Sequence, residues 1–102
     1  KIWPKYHIDI MKFLLPKQSQ GATAEDLIKV LGANIPVNYI IMLKEGTSSR
    51  EDYKIEYDRL NKYIRQIRGS IYQGTGIDGK EILSGNRKDG YRFCYIPIFH
   101  IK

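Results

Sequence analysis

Apolar residues in the middle of the chain recur at alternating spacings of four and three. Tyr53, Tyr57, Leu60, Ile64, Ile67 and Ile71 keep this rhythm for nearly twenty residues. At about 100° per residue they fall on one stripe, and Arg59, Lys62, Arg65 and Arg68 fall on the polar side. The spacing predicts a long helix over about residues 50–71. Gly69 either ends this helix or is tolerated within it. A coiled coil has similar spacing, but fewer than three heptads favour a helix packed inside a domain.

The flanking segments read as shorter elements. Tyr6, Ile10, Phe13 and Leu14 sit at helical spacing, with Pro16 placed to stop that helix. Lys17 to Ala22 is a polar loop. Thr23 then suits an N-cap with Asp26 three residues on, Leu27, Ile28 and Leu31 face inward, and Gly32 suits the C-terminal cap. Asn34 to Val37 reads as extended or turn, and Asn38 to Glu45 as a short buried helix or a strand. Ser49 with Asp52 offers another cap. Gln73 to Gly79 reads as a flexible loop. Glu81 to Leu83 and Tyr91 to Tyr95 read as paired strands, with turn chemistry from Gly85, Asn86, Asp89 and Gly90. Ile96 to Ile101 contains Pro97 and is at most an edge strand. The expected fold is α+β: a small winged helix-turn-helix of three or four helices, then a C-terminal β-hairpin wing over about 81–95. It forms one domain over residues 1–102. A start at Lys1 rather than Met reads as an excised domain or a trimmed chain.

Charge changes the picture most in the long helix. The formal net charge is +6, which favours anionic partners. It is uneven: residues 1–48 hold six basic and four acidic residues, +2, and residues 49–102 hold eleven and seven, +4. Arg59 to Arg68 carries four cations and no carboxylate. Arg59, Lys62, Arg65 and Arg68 have the reach for phosphates, and an Arg can also fork onto a guanine edge. Asn61 and Gln66 can pair with adenine, and Arg87 and Lys88 at the hairpin tip suit wing contacts. The plainer account of the same residues is a solvated helix face.

Other chemistry is poorly supplied. One cysteine, Cys94, forms no internal disulfide, which suits a reducing cytoplasmic setting; it reads as a small core residue. His7 and His100 lie near opposite ends, so no zinc spacing exists. No carboxylate pair or nucleophile constellation is evident. Gly74-Thr75-Gly76 lacks the residues of a phosphate loop. No enzyme activity and no cofactor are expected. Apolar runs are short, so no membrane span is expected. Among the tyrosines, Tyr53, Tyr57 and Tyr91 fit the core, and Tyr63 stays open as a core or stacking residue.

Three segments carry a resemblance. Thr23-Ala24-Glu25-Asp26-Leu27-Ile28-Lys29-Val30-Leu31-Gly32 resembles the second helix of OmpR/PhoB-type response-regulator effector domains. Tyr63-Ile64-Arg65-Gln66-Ile67-Arg68 is similar to their recognition helix, with its Ile-x-x-Leu-Arg core. Arg87-Lys88-Asp89-Gly90-Tyr91-Arg92-Phe93 resembles their wing ending, Arg-Gly-x-Gly-Tyr-Arg-Phe. Lys88 replaces the first wing glycine, and Leu31 stands where that family often has Trp. The family's N-terminal four-stranded sheet has no counterpart here. The resemblance implies a recognition helix in the major groove and a wing against the adjacent backbone or minor groove.

The expected function is sequence-specific binding of duplex DNA by a transcription regulator or its DNA-binding domain. The alternative is a winged-helix protein-interaction or dimerisation module. Ile2-Trp3 and Ile96-Pro97-Ile98-Phe99 are apolar ends that point to a homodimer or to other domains of a larger protein.

Overall fold

The computed structural model describes residues 3–94. Lys5–Leu14 forms helix α1, whose buried residues His7, Ile10 and Leu14 keep the spacing of three and four. The α-helix ends just before Pro16, as expected, and the chain goes on winding more tightly. Pro16 sits in the first turn of a 3-10 segment, Leu15–Gln20, where its missing N–H breaks no hydrogen bond. The polar loop beyond contributes one rung of sheet. Ala22 and Tyr91 exchange both backbone hydrogen bonds, each at 2.8 Å.

Helix α2 spans Ala24–Val30 and starts at the Thr23 cap, whose hydroxyl accepts the Asp26 amide N–H at 3.0 Å. Its C-terminal glycine, Gly32, has φ +92°. The ambiguous stretch is a helix, α3, Tyr39–Glu45. It is not the buried element that its apolar run suggested. Tyr39 is buried, Met42 is half-buried, and Ile40 and Ile41 face solvent.

Helix α4 dominates the molecule. A 3-10 turn, Arg50–Tyr53, precedes it, closed by the reciprocal Ser49–Asp52 capping box. The α-helix itself runs over Lys54–Thr75, 22 residues, and ends at Gly76 with φ +75°. It passes through both Gly69 and Gly74, so it extends into the segment expected to be loop. Burial of Ile64 and Ile67 on one face outweighs the roughly 1 kcal/mol that Gly69 costs, whereas the last turn, residues 72–75, is exposed. Asp78 caps a one-turn helix, α5, Gly79–Ile82, by accepting the Lys80 amide N–H at 3.0 Å. Glu81 and Ile82 therefore belong to a helix rather than to a strand.

The first strand is shifted toward the tip: it begins at Leu83 and runs through Gly85 and Asn86, which were expected in the turn. Strands β1, Leu83–Asn86, and β2, Gly90–Phe93, pair antiparallel, with Leu83 opposite Phe93 and Asn86 opposite Gly90. Gly90 has φ +89°, and a Cβ there would crowd the Ala22 carbonyl. Tyr95 and the apolar end through Ile101 lie outside the described residues.

Tyr57, Leu60, Ile64 and Ile67 of α4 meet Ile10, Leu14, Leu27, Ile28, Leu83 and Tyr91 in one core. Each such aliphatic side chain contributes about 1.5–3 kcal/mol by leaving water. Phe93 is half-buried at the margin rather than in the centre. One polar knot crosses this interior. Buried Glu25 accepts from the Tyr57 hydroxyl at 2.6 Å and from Arg50 Nε at 3.3 Å. Tyr39 lies 3.3 Å from that hydroxyl and donates to the Ser49 carbonyl. The knot ties α2 and α3 to the start of α4. Burial, reinforced by the bond to Glu25, pushes the Tyr57 pKa well above the ordinary tyrosine value. Among the described residues no helix is long and apolar enough to cross a membrane.

Candidate nucleic-acid interface

The polar side of α4 divides in two. Taking Leu60 as the origin, Arg59 and Gln66 lie at about 260° and 240° around the helix, and Asn61, Arg65 and Arg68 at about 100°, 140° and 80°. The first set faces α1 and the second faces the hairpin.

On the α1 side the expected DNA contacts are engaged within the protein. Tyr6 and Tyr63 stack with ring centroids 5.4 Å apart. The Arg59 guanidinium lies 4.7 Å from the Tyr6 ring, and its Nε donates to the Tyr63 hydroxyl at 3.4 Å. Tyr63 is thus neither deep core nor a free stacking surface. Gln66 Oε1 accepts from His7 Nε2 at 2.8 Å, joining α4 to α1. Its placement sets it apart from the other expected base-reading residue, Asn61. Lys62 lies between the two sides and is exposed, 5.8 Å from the Tyr63 ring.

On the hairpin side a groove of ≈ 410 Å³ opens between α4, α5 and β1. Arg65, Arg68, Lys80 and Arg87 supply its charge, Asn61 and Tyr91 line it, and no carboxylate does. Asn61 is half engaged, its Oδ1 accepting from the Tyr91 hydroxyl at 3.2 Å. Arg65 is exposed along the groove. Arg68 is not the outward-pointing cation that the periodicity suggested. Its Nε donates to the Leu83 carbonyl at 2.8 Å and its terminal nitrogen to the Gly85 carbonyl at 3.0 Å. Its place explains this, since at about 80° it lies only about 20° from buried Tyr57. Burial lowers its pKa, which still leaves an arginine cationic. The guanidinium therefore holds the hairpin while adding charge to the groove.

The tip is built by Asn86. Its Oδ1 accepts the amide N–H groups of Lys88 and Asp89 at 2.9 and 2.8 Å. This local ring fixes the backbone and leaves the Arg87 and Lys88 side chains exposed. Arg87 reaches back toward α4, 5.9 Å from the Tyr57 ring.

Lys80 is the residue that the sequence reading missed. It was hidden between a presumed loop and a presumed strand. Asp78 followed three residues later by Glu81 was the available signal for a helix start there. Gly79 completes the arrangement, because a Cβ at that position would overlap the Arg68 backbone. Only glycine lets α5 approach α4 so closely and bring Lys80 to the groove.

Other features offer less. Thr75 lies in α4, with its hydroxyl donating to the Ile71 carbonyl at 2.7 Å, so Gly74-Thr75-Gly76 forms a helix end. Cys94 is half-buried, with its sulfur 3.2 Å from Ser84 Oγ, a contact that lowers the thiol pKa. Among the described residues no three His, Cys, Asp or Glu side chains cluster to hold a metal ion. A second, apolar groove of ≈ 280 Å³ lies on another side, lined by Trp3, Met11, Leu15, Ile71, Ile82 and Phe93 among others. No family model, curated protein or solved structure matches this chain.

Proposed function

We propose that this chain is a winged-helix domain that binds duplex DNA through the basic groove between α4 and the hairpin. The carrying observation is the meeting of Arg65, Arg68, Lys80 and Arg87 around one groove with no carboxylate in its lining. The order of elements is compatible with that fold: α1, the Ala22 rung, α2, the short α3, α4, the one-turn α5 and then a hairpin. The likeness of Arg87 to Phe93 to the wing ending of OmpR/PhoB-type effector domains supports it.

In this reading α4 presents Arg65, with Lys62 beside it, to the major groove. Arg87 and Lys88 meet the neighbouring backbone from the wing. Phosphate neutralisation by these cations supplies affinity through counterion release. Base discrimination falls to Arg65 and Asn61, the groove residues able to address base edges. Arg59 and Gln66 brace α4 against α1 and set its angle. The domain is a binding module rather than an enzyme and would work in the cytoplasm as part of a transcription regulator.

The test is fluorescence anisotropy with random-sequence duplex DNA at low salt. The combined Arg65→Ala and Lys80→Ala variant should bind at least tenfold more weakly, with its circular dichroism unchanged. Equal binding by the wild type and this variant would remove the groove from the account. The second reading, a protein-interaction module, is favoured by the apolar groove around Trp3, Met11 and Phe93. It takes over if no duplex binds.

A further inference from the structure

We infer that Tyr72 forms a stacking platform for an unpaired base, so that the domain prefers duplex DNA carrying a single-stranded extension over a blunt duplex. The inference rests on the duplex-binding reading above and extends the same groove.

Tyr72 stands apart from the other tyrosines. Tyr6 and Tyr63 stack on one another, and Tyr53 packs edge-on against Tyr39. Tyr57, Tyr39 and Tyr91 all have hydrogen-bonded hydroxyls. Tyr72 alone among the described tyrosines has no ring or hydrogen-bond partner, and it is 59% exposed.

Its surroundings are cationic. Tyr72 borders a recess of ≈ 270 Å³ together with Arg65, Arg68, Gly69, Asp78 and Lys80. Arg65, Arg68 and Lys80 also line the basic groove, so the recess continues it. Asp78 is the one carboxylate there, and its Oδ1 already accepts the Lys80 amide N–H. Around α4, Tyr72 lies at about 120°, between Arg68 and Arg65, and one to two turns further along the axis. Gly69 occupies the intervening turn, and a Cβ built there would meet nothing. Gly69 therefore leaves open space between the ring and Arg65 on that line of the helix, with Arg68 along the side of the recess. At ≈ 270 Å³ the recess lies just below the usual range of ligand-pocket volumes, room for a single base and not for a duplex. A strand leaving the duplex along Arg65 and Lys80 would bring its next base to the Tyr72 ring. Stacking on an aromatic face needs no particular base, so the preference should be insensitive to sequence.

The experiment compares one duplex, blunt or with a short thymidine extension on one strand, by anisotropy. The wild-type chain should bind the extended form about 5- to 100-fold more tightly. The ratio of the two affinities should fall to about one in Tyr72→Ala and stay high in Tyr72→Phe, since stacking uses the ring and not the hydroxyl. Blunt-duplex binding with no preference for the extension would overturn this inference and leave the duplex reading standing. A preference that survives Tyr72→Ala would also overturn it. No binding of either form at low salt would overturn both.

Discussion

Arg68 on α4 and Leu83 on β1 are joined at 2.8 Å, guanidinium to carbonyl. A second bond to the Gly85 carbonyl makes Arg68 a clamp that sets the hairpin at a fixed distance from the helix. Hydrogen bonds from charged groups contribute about 1.5–3 kcal/mol, so Arg68→Ala should lose about that much stability. Exposed Arg65→Ala should stay within about 0.5 kcal/mol of the wild type. Urea denaturation distinguishes the two. Equal stabilities would mean that the clamp carries no weight. Lost DNA binding in Arg68→Ala would reflect a displaced hairpin as well as a missing charge.

The core should answer as a unit hinged on α4. Ile64 is buried among residues from several elements, and Ile64→Ala should cost about 2–5 kcal/mol by leaving a cavity. Phe93→Ala, at the margin, should cost less. A larger loss at Phe93 than at Ile64 would contradict the placement of the core.

How much of this could be read beforehand depended on periodicity. The α4 stripe, the Thr23 and Ser49 caps and the hairpin turn were legible because each rests on local chemistry within four residues. The end of α4 was not, since the stripe stops at Ile71 and Gly74, Gly76 and Gly79 read as a loop, yet the helix runs on to Thr75. Lys80 was hidden for the same reason. The roles of Arg59, Gln66 and Arg68 could not be read, because a helical wheel gives angles and not the identity of what lies opposite. The angle of Arg68, close to Tyr57, was nonetheless a usable warning.

Alkaline pH should probe the Glu25–Tyr57 knot. Below about pH 10 Tyr57 is protonated in both the folded and unfolded chains and contributes no pH dependence. Above that, the unfolded chain releases a proton that the folded chain retains, because the folded pKa is raised. Stability should then fall by up to about 1.4 kcal/mol per pH unit from this residue. Tyr57→Phe should remove that component. It should also cost about 1–3 kcal/mol at neutral pH, because buried Glu25 loses a donor. Denaturation midpoints measured across the alkaline range would test this. An alkaline loss identical in Tyr57→Phe would count against the knot.

Reversing Arg87 and Lys88 to Glu should weaken duplex binding without lowering stability, since both side chains are exposed. The loss should be nearly equal for unrelated sequences, as phosphate contacts carry little base information. Competition assays across diverse duplexes measure this, and a strongly sequence-dependent loss would argue that the wing reads bases.

The most direct measurement of the central claim is the salt dependence of duplex binding by the wild-type chain. Arg65, Lys80, Arg87 and Lys88, each meeting a phosphate, would give a log–log slope of about −3 to −4. A slope in that range is the predicted result. No measurable affinity at low salt, or a slope near zero, would contradict the claim that the groove between α4 and the hairpin is a DNA-binding surface.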